Sequence, residues 1–374
     1  MPVRIFSFGI KKMSFKNKLL AYFTIVFNFL LFFSYLAYVS DPAKAVWIAF
    51  TGLAYPYILF TNLVLCTVWM VKRKIFFLPS LILIIIGMYH HSRFFQINSL
   101  SYSKDSEKTI KIMSYNVRLF DLYNWTKNKE SKQNILEFIK SQNPDVICFQ
   151  EYYYDKTNQF VTRDLILNEL GFSYYHENFS DESKNNSYFG LATFSKFPIV
   201  NKNNLQFKND NSNQCIWSDI VKDKDTLRVF NTHLGSIRFN YSDYNIIGGK
   251  GSPIWPDEKV PKQDIINRLK KGFSKRSNQI DEIIPIIKNS PFKKIVCCDL
   301  NDTPISRAYN KFDKNLKDAF TYSGLGFGGT YIGKVPGLRI DYIWHDKNLS
   351  SNNFKTHPEK FSDHKAISAN IYIP

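Results

Sequence analysis

The chain has 374 residues, a formal net charge of +17, and 44% hydrophobic and 16% aromatic residues, enough for one large domain or two ordinary ones. Apolar residues crowd into positions 1–95, which hold ten Lys/Arg and one Asp; the remainder carries 39 basic against 31 acidic residues, a net of +8 that suits an anionic substrate or membrane surface without specifying either. Five cysteines (66, 148, 215, 297 and 298) lie in apolar runs at spacings that suggest neither a disulfide framework nor a zinc site, and read as small buried hydrophobes.

Leu19 to Val39 is an uncharged apolar run, long enough to cross a hydrocarbon core of ~30 Å at ~1.5 Å per residue. A second run goes from about Ala45 to Val71, and a third starts at Ile75 and weakens near His90, His91 and Arg93. Lys11, Lys12, Lys16 and Lys18 give the first run the flank of a signal peptide, but its length and the two runs behind it favour a retained span. The expectation is an anchor of about three transmembrane helices over residues 1–95, then a linker over 96–108. The basic tail and Lys72-Arg73-Lys74 belong on the cytoplasmic side, and the Asp41–Lys44 loop is nearly neutral. Three crossings then make this a multi-pass membrane protein, in contact with the lipid bilayer, whose remaining residues are extracytoplasmic. The adjacent His90 and His91 read as interfacial rather than as a metal site.

Past Ser101 short β-type runs alternate with turns and a few helical stretches. Strands are predicted at Ile110–Asn116, Val146–Gln150, Tyr188–Phe194, Cys215–Val221, Leu227–Thr232, Lys294–Cys298, Ile340–Trp344 and Ala366–Tyr372. Helical periodicity appears at Ser131–Ser141, Thr162–Leu170 and Ser277–Lys288, the last with Ile280, Ile283, Ile284 and Ile287 on one stripe. This mixture predicts a β core covered by helices. Ser236 to Arg276 is polar and too long for an ordinary connection; it reads as a surface excursion, either a tolerated insertion or a flap over substrate.

Polar groups recur where these strands end. Asn116 closes Ile-Lys-Ile-Met-Ser-Tyr-Asn, Glu151 closes Val-Ile-Cys-Phe-Gln-Glu, and His233 closes Val-Phe-Asn-Thr-His. Asp299 and Asn301 follow Ile-Val-Cys-Cys, Asp341 opens Ile-Asp-Tyr-Ile-Trp, and Ser362-Asp363-His364 precedes the last strand. Singly, each acid is as ordinary as a turn or capping residue. Gathered in one cleft, the four carboxylates would repel and raise one another's pKa values unless a cation sat among them, so the cluster makes sense chiefly as a metal site.

Ser-Tyr-Asn-Val, Phe-Gln-Glu, Asn-Thr-His-Leu, Asp-Leu-Asn-Asp, Arg-Ile-Asp-Tyr-Ile and Ser-Asp-His stand in the order and at roughly the separations of the endonuclease/exonuclease/phosphatase family, which the chain resembles over residues 109–374. That family includes deoxyribonucleases, abasic-site endonucleases, sphingomyelinases and inositol-polyphosphate phosphatases. The resemblance implies a four-layer α/β sandwich, two packed sheets flanked by helices, and a metal-dependent hydrolase of phosphate esters. It implies Glu151 as the principal Mg²⁺ ligand (Mn²⁺ being the alternative), with Asn116 beside it and Asp363 as a further metal-site acid. It implies that Asp299 orients or deprotonates the attacking water, that Asn301 holds the phosphate, that His364 acts at the scissile phosphate with Asp341 fixing its tautomer, and that His233 donates to a phosphate oxygen or the leaving group. The chemistry is in-line attack of water on phosphorus.

The chain departs from that pattern in places. In the abasic-site branch an acid follows two positions after the first asparagine; here Arg118 stands there. A phosphate-directed tyrosine has no clear counterpart, although Tyr241 and Tyr244 are available, and Lys196 reads as a loop charge. The expected partner is a phosphate-ester substrate: a lipid headgroup, a small phosphodiester or a nucleic acid. The alternatives are a nuclease using Lys250, Lys259, Lys262, Arg268, Lys270, Lys271, Lys275 and Arg276 as a basic groove, and an inactive binding or scaffold protein that kept the fold.

Overall fold

A computed structural model describes residues 13–98, 108–157, 159–182, 186–208, 210, 212–236, 262–333 and 337–374, with side chains omitted at 180–182 and 262–265. Contacts divide the chain into two units: residues 1–94 with 303–310, and residues 95–302 with 311–374.

The first unit is helical: Phe15–Leu36, Val46–Leu53, Tyr55–Val71, Phe77–Ile86 and Met88–His91. Ser14 caps the first helix through Asn17 N–H at 3.5 Å. Polar side chains in this apolar unit meet one another: Trp69 Nε1 donates to Thr24 Oγ1 at 2.8 Å, Ser80 Oγ to Asn28 Oδ1 at 2.9 Å, and Asn62 Nδ2 to the Phe27 carbonyl at 3.0 Å. The expected three spans are not found among the described residues. Phe15–Leu36 alone is long and apolar enough to cross a membrane, and a second crossing exists only if Val46–Leu53 and Tyr55–Val71, bent by 67°, act as one broken span. The break falls at Ala54, just before Pro56, whose ring cannot continue a helix through that point. Phe77–Ile86 has 10 residues, about 15 Å of helix and half a hydrocarbon core.

Among the described residues the second unit contains fourteen strands in chain order: β1 (Gln96–Ile97), β2 (Thr109–Asn116), β3 (Val146–Asp155), β4 (Tyr174–Glu182), β5 (Ser187–Ser195), β6 (Ile199–Gln206), β7 (Gln214–Lys222), β8 (Asp225–His233), β9 (Lys293–Asp299), β10 (Lys317–Asp318), β11 (Leu325–Gly326), β12 (Asp341–His345), β13 (Ser350–Thr356) and β14 (Ile367–Tyr372). Twelve build two six-stranded mixed sheets, ordered β13-β14-β2-β3-β5-β4 and β10-β12-β9-β8-β7-β6. Only β2–β3 and β8–β9 pair in parallel. Because side chains alternate along a strand, Ile110, Ile112, Val146 and Cys148 of one sheet face Val229, Ile295, Cys297 and Ile343 of the other, while Met113, Tyr115, Ile147 and Phe149 point outward onto Ile135, Phe138, Ile139 and Ile166 of the covering helices. Burying each such side chain contributes about 1.5–3 kcal/mol. The result is the expected α/β sandwich. All five cysteines are free and buried.

One expectation changes here. Ser236 to Arg276 is not wholly an excursion: residues 262–276 are the first half of a helix running from Lys262 to Lys288. Its Ile280, Ile283, Ile284 and Ile287 are buried as the stripe predicts. Positions 237–261, with Tyr241, Tyr244, Lys250 and Lys259, lie outside the described residues.

Candidate active site

Both parallel pairs end at the same rim. Asn116 and Glu151 come from one sheet, and His233 and Asp299 from the C-terminal ends of β8 and β9 in the other, where register sets His233 opposite Asp299. Asp341, the first residue of β12, stands opposite Asp299 on its other side. Asn116 Nδ2 spans the sheets, donating to Glu151 Oε1 at 3.2 Å and Asp299 Oδ2 at 2.9 Å. Around Asp299 Oδ2 lie His233 Nε2 at 3.5 Å and His364 Nε2 at 3.9 Å, and His233 Nε2 is 3.9 Å from Glu151 Oε1. His364 Nδ1 donates to Asp341 Oδ2 at 2.9 Å, which leaves Nε2 facing Asp299.

Glu151 reaches this rim by a backbone irregularity. The β3–β5 register shifts between Phe149 and Tyr152, and Glu151 takes φ +49°. A bulge of this kind re-aims a side chain, and a left-handed glutamate costs on the order of 1–3 kcal/mol. Opposite Tyr152, Gly190 permits close passage of β4; a Cβ there would lie 2.0 Å from the Asn178 carbonyl oxygen.

Electrostatics follow from burial. Asp299 is fully buried, which raises its carboxyl above the usual range; Asp341 adds to the rise, while His364, His233 and the Asn116 amide oppose it. Burial disfavours the charged His364 ring, yet Asp341 and Asp299 outweigh it and hold its pKa well above the ordinary histidine value. Buried His233 Nε2 makes no hydrogen bond within the described residues, an orphan atom facing two carboxylates. Asp299, Asp341 and His364 offer ligand atoms within 4.8 Å of one another. His364 Nδ1 and Asp341 are already bonded to each other, whereas half-exposed Glu151 accepts from Asn116 through Oε1.

Two further predicted residues flank this grouping. Asn301, with φ +53°, donates its backbone N–H to Asp299 Oδ1 and its Nδ2 to the Leu234 carbonyl, both at 3.0 Å, and so ties the loop after β9 to the loop after β8. Asp363 accepts from Ser362 Oγ at 3.3 Å and meets Arg118 Nε at 3.5 Å. Arg118 begins a left-handed turn through Asp121, with φ from +44° to +58°, and its guanidinium lies 4.4 Å from the Trp125 ring.

Supporting residues emerge that the strand-end pattern does not single out. Gln150 Nε2 donates to Asn231 Oδ1 at 2.8 Å between the sheets, and Asn231 Nδ2 donates to the Phe149 and Ala192 carbonyls. Thr330 Oγ1 accepts from Ile340 and Asp341 N–H, and its carbonyl from Lys365 N–H. Polar residues at inward positions of apolar strands are the signal for the first pair; Thr330 has none. Of the predicted basic groove, Lys275 pairs with Asp210 at 2.7 Å, and Arg276 is buried against Asp302 at 3.0 Å and the Gly235 carbonyl at 2.8 Å.

A two-sheet sandwich with carboxylates, an amide and imidazoles meeting at one rim defines a class of hydrolases acting on phosphate esters. The model of the endonuclease/exonuclease/phosphatase family matches residues 113–364, and the chain belongs to that family. A domain family of unknown function matches residues 17–94. Among curated proteins none matches the chain. Among solved structures, the human Nocturnin catalytic domain with bound sulfate anion is 20% identical, over 72% of this chain and 96% of that one, at TM-score 0.50. An endonuclease/exonuclease/phosphatase from Beutenbergia cavernae is 14% identical, over 71% and 72%, at TM-score 0.51. A family protein from Leptotrichia buccalis is 17% identical, over 71% and 100%, at TM-score 0.50. These likenesses concern the fold.

Proposed function

We propose that the chain is a membrane-anchored phosphoesterase that hydrolyses phosphate ester bonds by in-line attack of water on phosphorus, with a divalent cation, Mg²⁺ or Mn²⁺, at Glu151 and Asn116. The observation that carries this reading is the meeting of Asn116, His233 and His364 around one buried oxygen of Asp299, with Glu151 reaching Asn116 and His233 beside it. The donor set fits a hard cation, being oxygen-rich with no thiolate nearer than buried core cysteines. Such a cation, when bound, neutralises charge on the phosphoryl oxygens.

The chain's own groups supply the rest. Asp299, its pKa raised by burial, accepts the proton of the attacking water; the Asn301 N–H on its other oxygen fixes its orientation. His364, held charged and in one tautomer by Asp341, donates toward a phosphoryl oxygen. His233, with its uncommitted Nε2, faces the leaving group. Asp363 serves better as the anchor of Arg118 than as a metal ligand, since its carboxylate is already neutralised there. Lys275 and Arg276 are committed to Asp210 and Asp302, which removes two cations from the alternative of a nucleic-acid groove.

The test is hydrolysis of a generic bis-phosphodiester and of plasmid DNA by the detergent-solubilised protein. Diester hydrolysis with Mg²⁺, lost on chelation and reduced about a hundredfold or more by Glu151→Gln, is the expected result. Activity indifferent to Glu151→Gln removes the proposed site, and DNA as the better substrate restores the nuclease alternative.

A further inference from the structure

Phe95, Ile97, Tyr322, Leu325 and Phe327 are exposed at 46%, 76%, 54%, 67% and 72% on the second unit. They belong to one built feature. β1 pairs antiparallel with β11, Ile97 opposite Leu325. The Phe95 and Phe327 rings lie 4.9 Å apart, and Asn98 Nδ2 donates to the carbonyl of Thr321, the neighbour of Tyr322. Phe327 is carried outward between Gly326 at φ +74° and Gly328 at φ +59°, and a Cβ on Gly328 would come within 2.4 Å of the Phe320 ring. Lys317 places its ammonium 5.2 Å from the Tyr322 ring. Isolated exposed apolar residues are ordinary, but a contiguous, rigidly presented set marks a surface that meets another apolar phase.

Chain length limits which phase that is. The apolar segment ends at Phe94, and Ile97 lies three residues beyond it, at most about 11 Å of extended chain. Leu325, its register partner, is one strand spacing further, about 5 Å. If the apolar segment is a membrane anchor, as the proposed function holds, the patch stays within reach of the headgroup layer. Its makeup of Phe, Ile and Leu with a flanking Tyr and Lys is that of side chains that settle at that depth. The same loop runs on from Phe327 to Tyr331, which forms a β-bridge with His364 and sets its ring edge-on to the imidazole at 5.6 Å.

We infer that the β1–β11 patch is a membrane-docking surface that seats the catalytic domain on the bilayer, so that the site acts on the phosphate ester of a lipid headgroup. The substrate part of this inference rests on the phosphoesterase reading; the docking part does not.

The test uses the full chain reconstituted in vesicles of phosphatidylcholine and phosphatidylglycerol. Leu325→Cys and Phe327→Cys accept an environment-sensitive fluorophore while the native cysteines are buried, and Val200→Cys on exposed β6 is the reference. With brominated lipid, the probes at 325 and 327 are quenched and that at 200 is not; equal quenching at all three overturns docking. In parallel, Leu325→Asp with Phe327→Asp lowers turnover of a vesicle-borne lipid phosphodiester by about tenfold or more and leaves a water-soluble phosphodiester unaffected. An equal effect on both substrates, or none on either, overturns the lipid assignment. A wild-type chain with quenched probes but no activity on either substrate keeps docking and removes the phosphoesterase reading.

Discussion

His176 and His357 are buried and neutral for a shared reason. Burial lowers each pKa to about 4, with Lys202 adding to it at His176 and Lys111 and Lys355 at His357. Each ring bonds a serine hydroxyl, His176 to Ser218 at 3.0 Å and His357 to Ser368 at 2.9 Å. An unfolded histidine titrates near ~6.5, so between that pH and about 4 the unfolded chain binds more protons than the folded one. Stability is therefore full above this window and declines as pH falls through it, by a few kcal/mol for the two together. Urea midpoints at neutral and mildly acidic pH should show the decline, and His357→Gln, which keeps a partner for Ser368, should shrink it. A pH-independent midpoint in the wild-type chain would refute neutral burial. At this scale the sequence was most legible where a polar residue terminates an apolar run, as Asn116, Glu151, His233, Asp299 and Asp341 do. The pairing of Asp363 with Arg118 was not legible, because a left-handed turn that no local pattern announces brings the two together.

The helix Lys262–Lys288 shows what a longer element contributes. Arg276, on its inner side, donates through Nε to Asp302 and through Nη1 to the Gly235 carbonyl, so one guanidinium ties the loops that follow Asn301 and His233. Arg276→Met should cost about 3–5 kcal/mol in chemical denaturation, because Asp302 keeps a buried charge without this cation. A loss below about 1 kcal/mol would mean that the pair is solvated like a surface bridge. The N-terminal half of this helix escaped sequence reading because its many charges resemble those of the excursion before it, although Ile266, Leu269 and Phe273 stand at helical spacing. The strands that escaped it share a position: β4, β6, β10 and β13 are edges of the two large sheets, and β1 and β11 form a two-stranded sheet with no interior. An edge strand has fewer neighbours and no need of an apolar alternation; β6, Ile-Val-Asn-Lys-Asn-Asn-Leu-Gln, is exposed along most of its length. Most interior strands fell close to their predicted spans because burial on both faces forces the Val/Ile/Cys runs that reveal them, but β3 runs past the predicted Gln150 to Asp155.

For the whole molecule, the proposed membrane anchor makes orientation depend on the number of crossings. With the basic tail in the cytoplasm, one or three crossings leave residues 95–374 outside, and two leave them inside. Among the described residues one helix qualifies, or two if the bent pair counts. We expect an extracytoplasmic domain: a cysteine introduced at Val200 should react with an impermeant reagent in intact cells. Reaction only after lysis would establish two crossings. Composition could place an apolar segment at the N-terminus but not count its passages, since that number depends on a bend near Pro56 and on whether ten residues suffice to span.

The division of the rim between two sheets has a consequence for how the protein comes into being. Neither half of the sandwich holds more than part of this grouping: Asn116 and Glu151 belong to one, His233, Asp299 and Asp341 to the other, and His364 stands just ahead of β14. A fragment carrying one sheet alone would therefore lack part of the rim, and the proposed turnover would report that the two sheets have closed on each other.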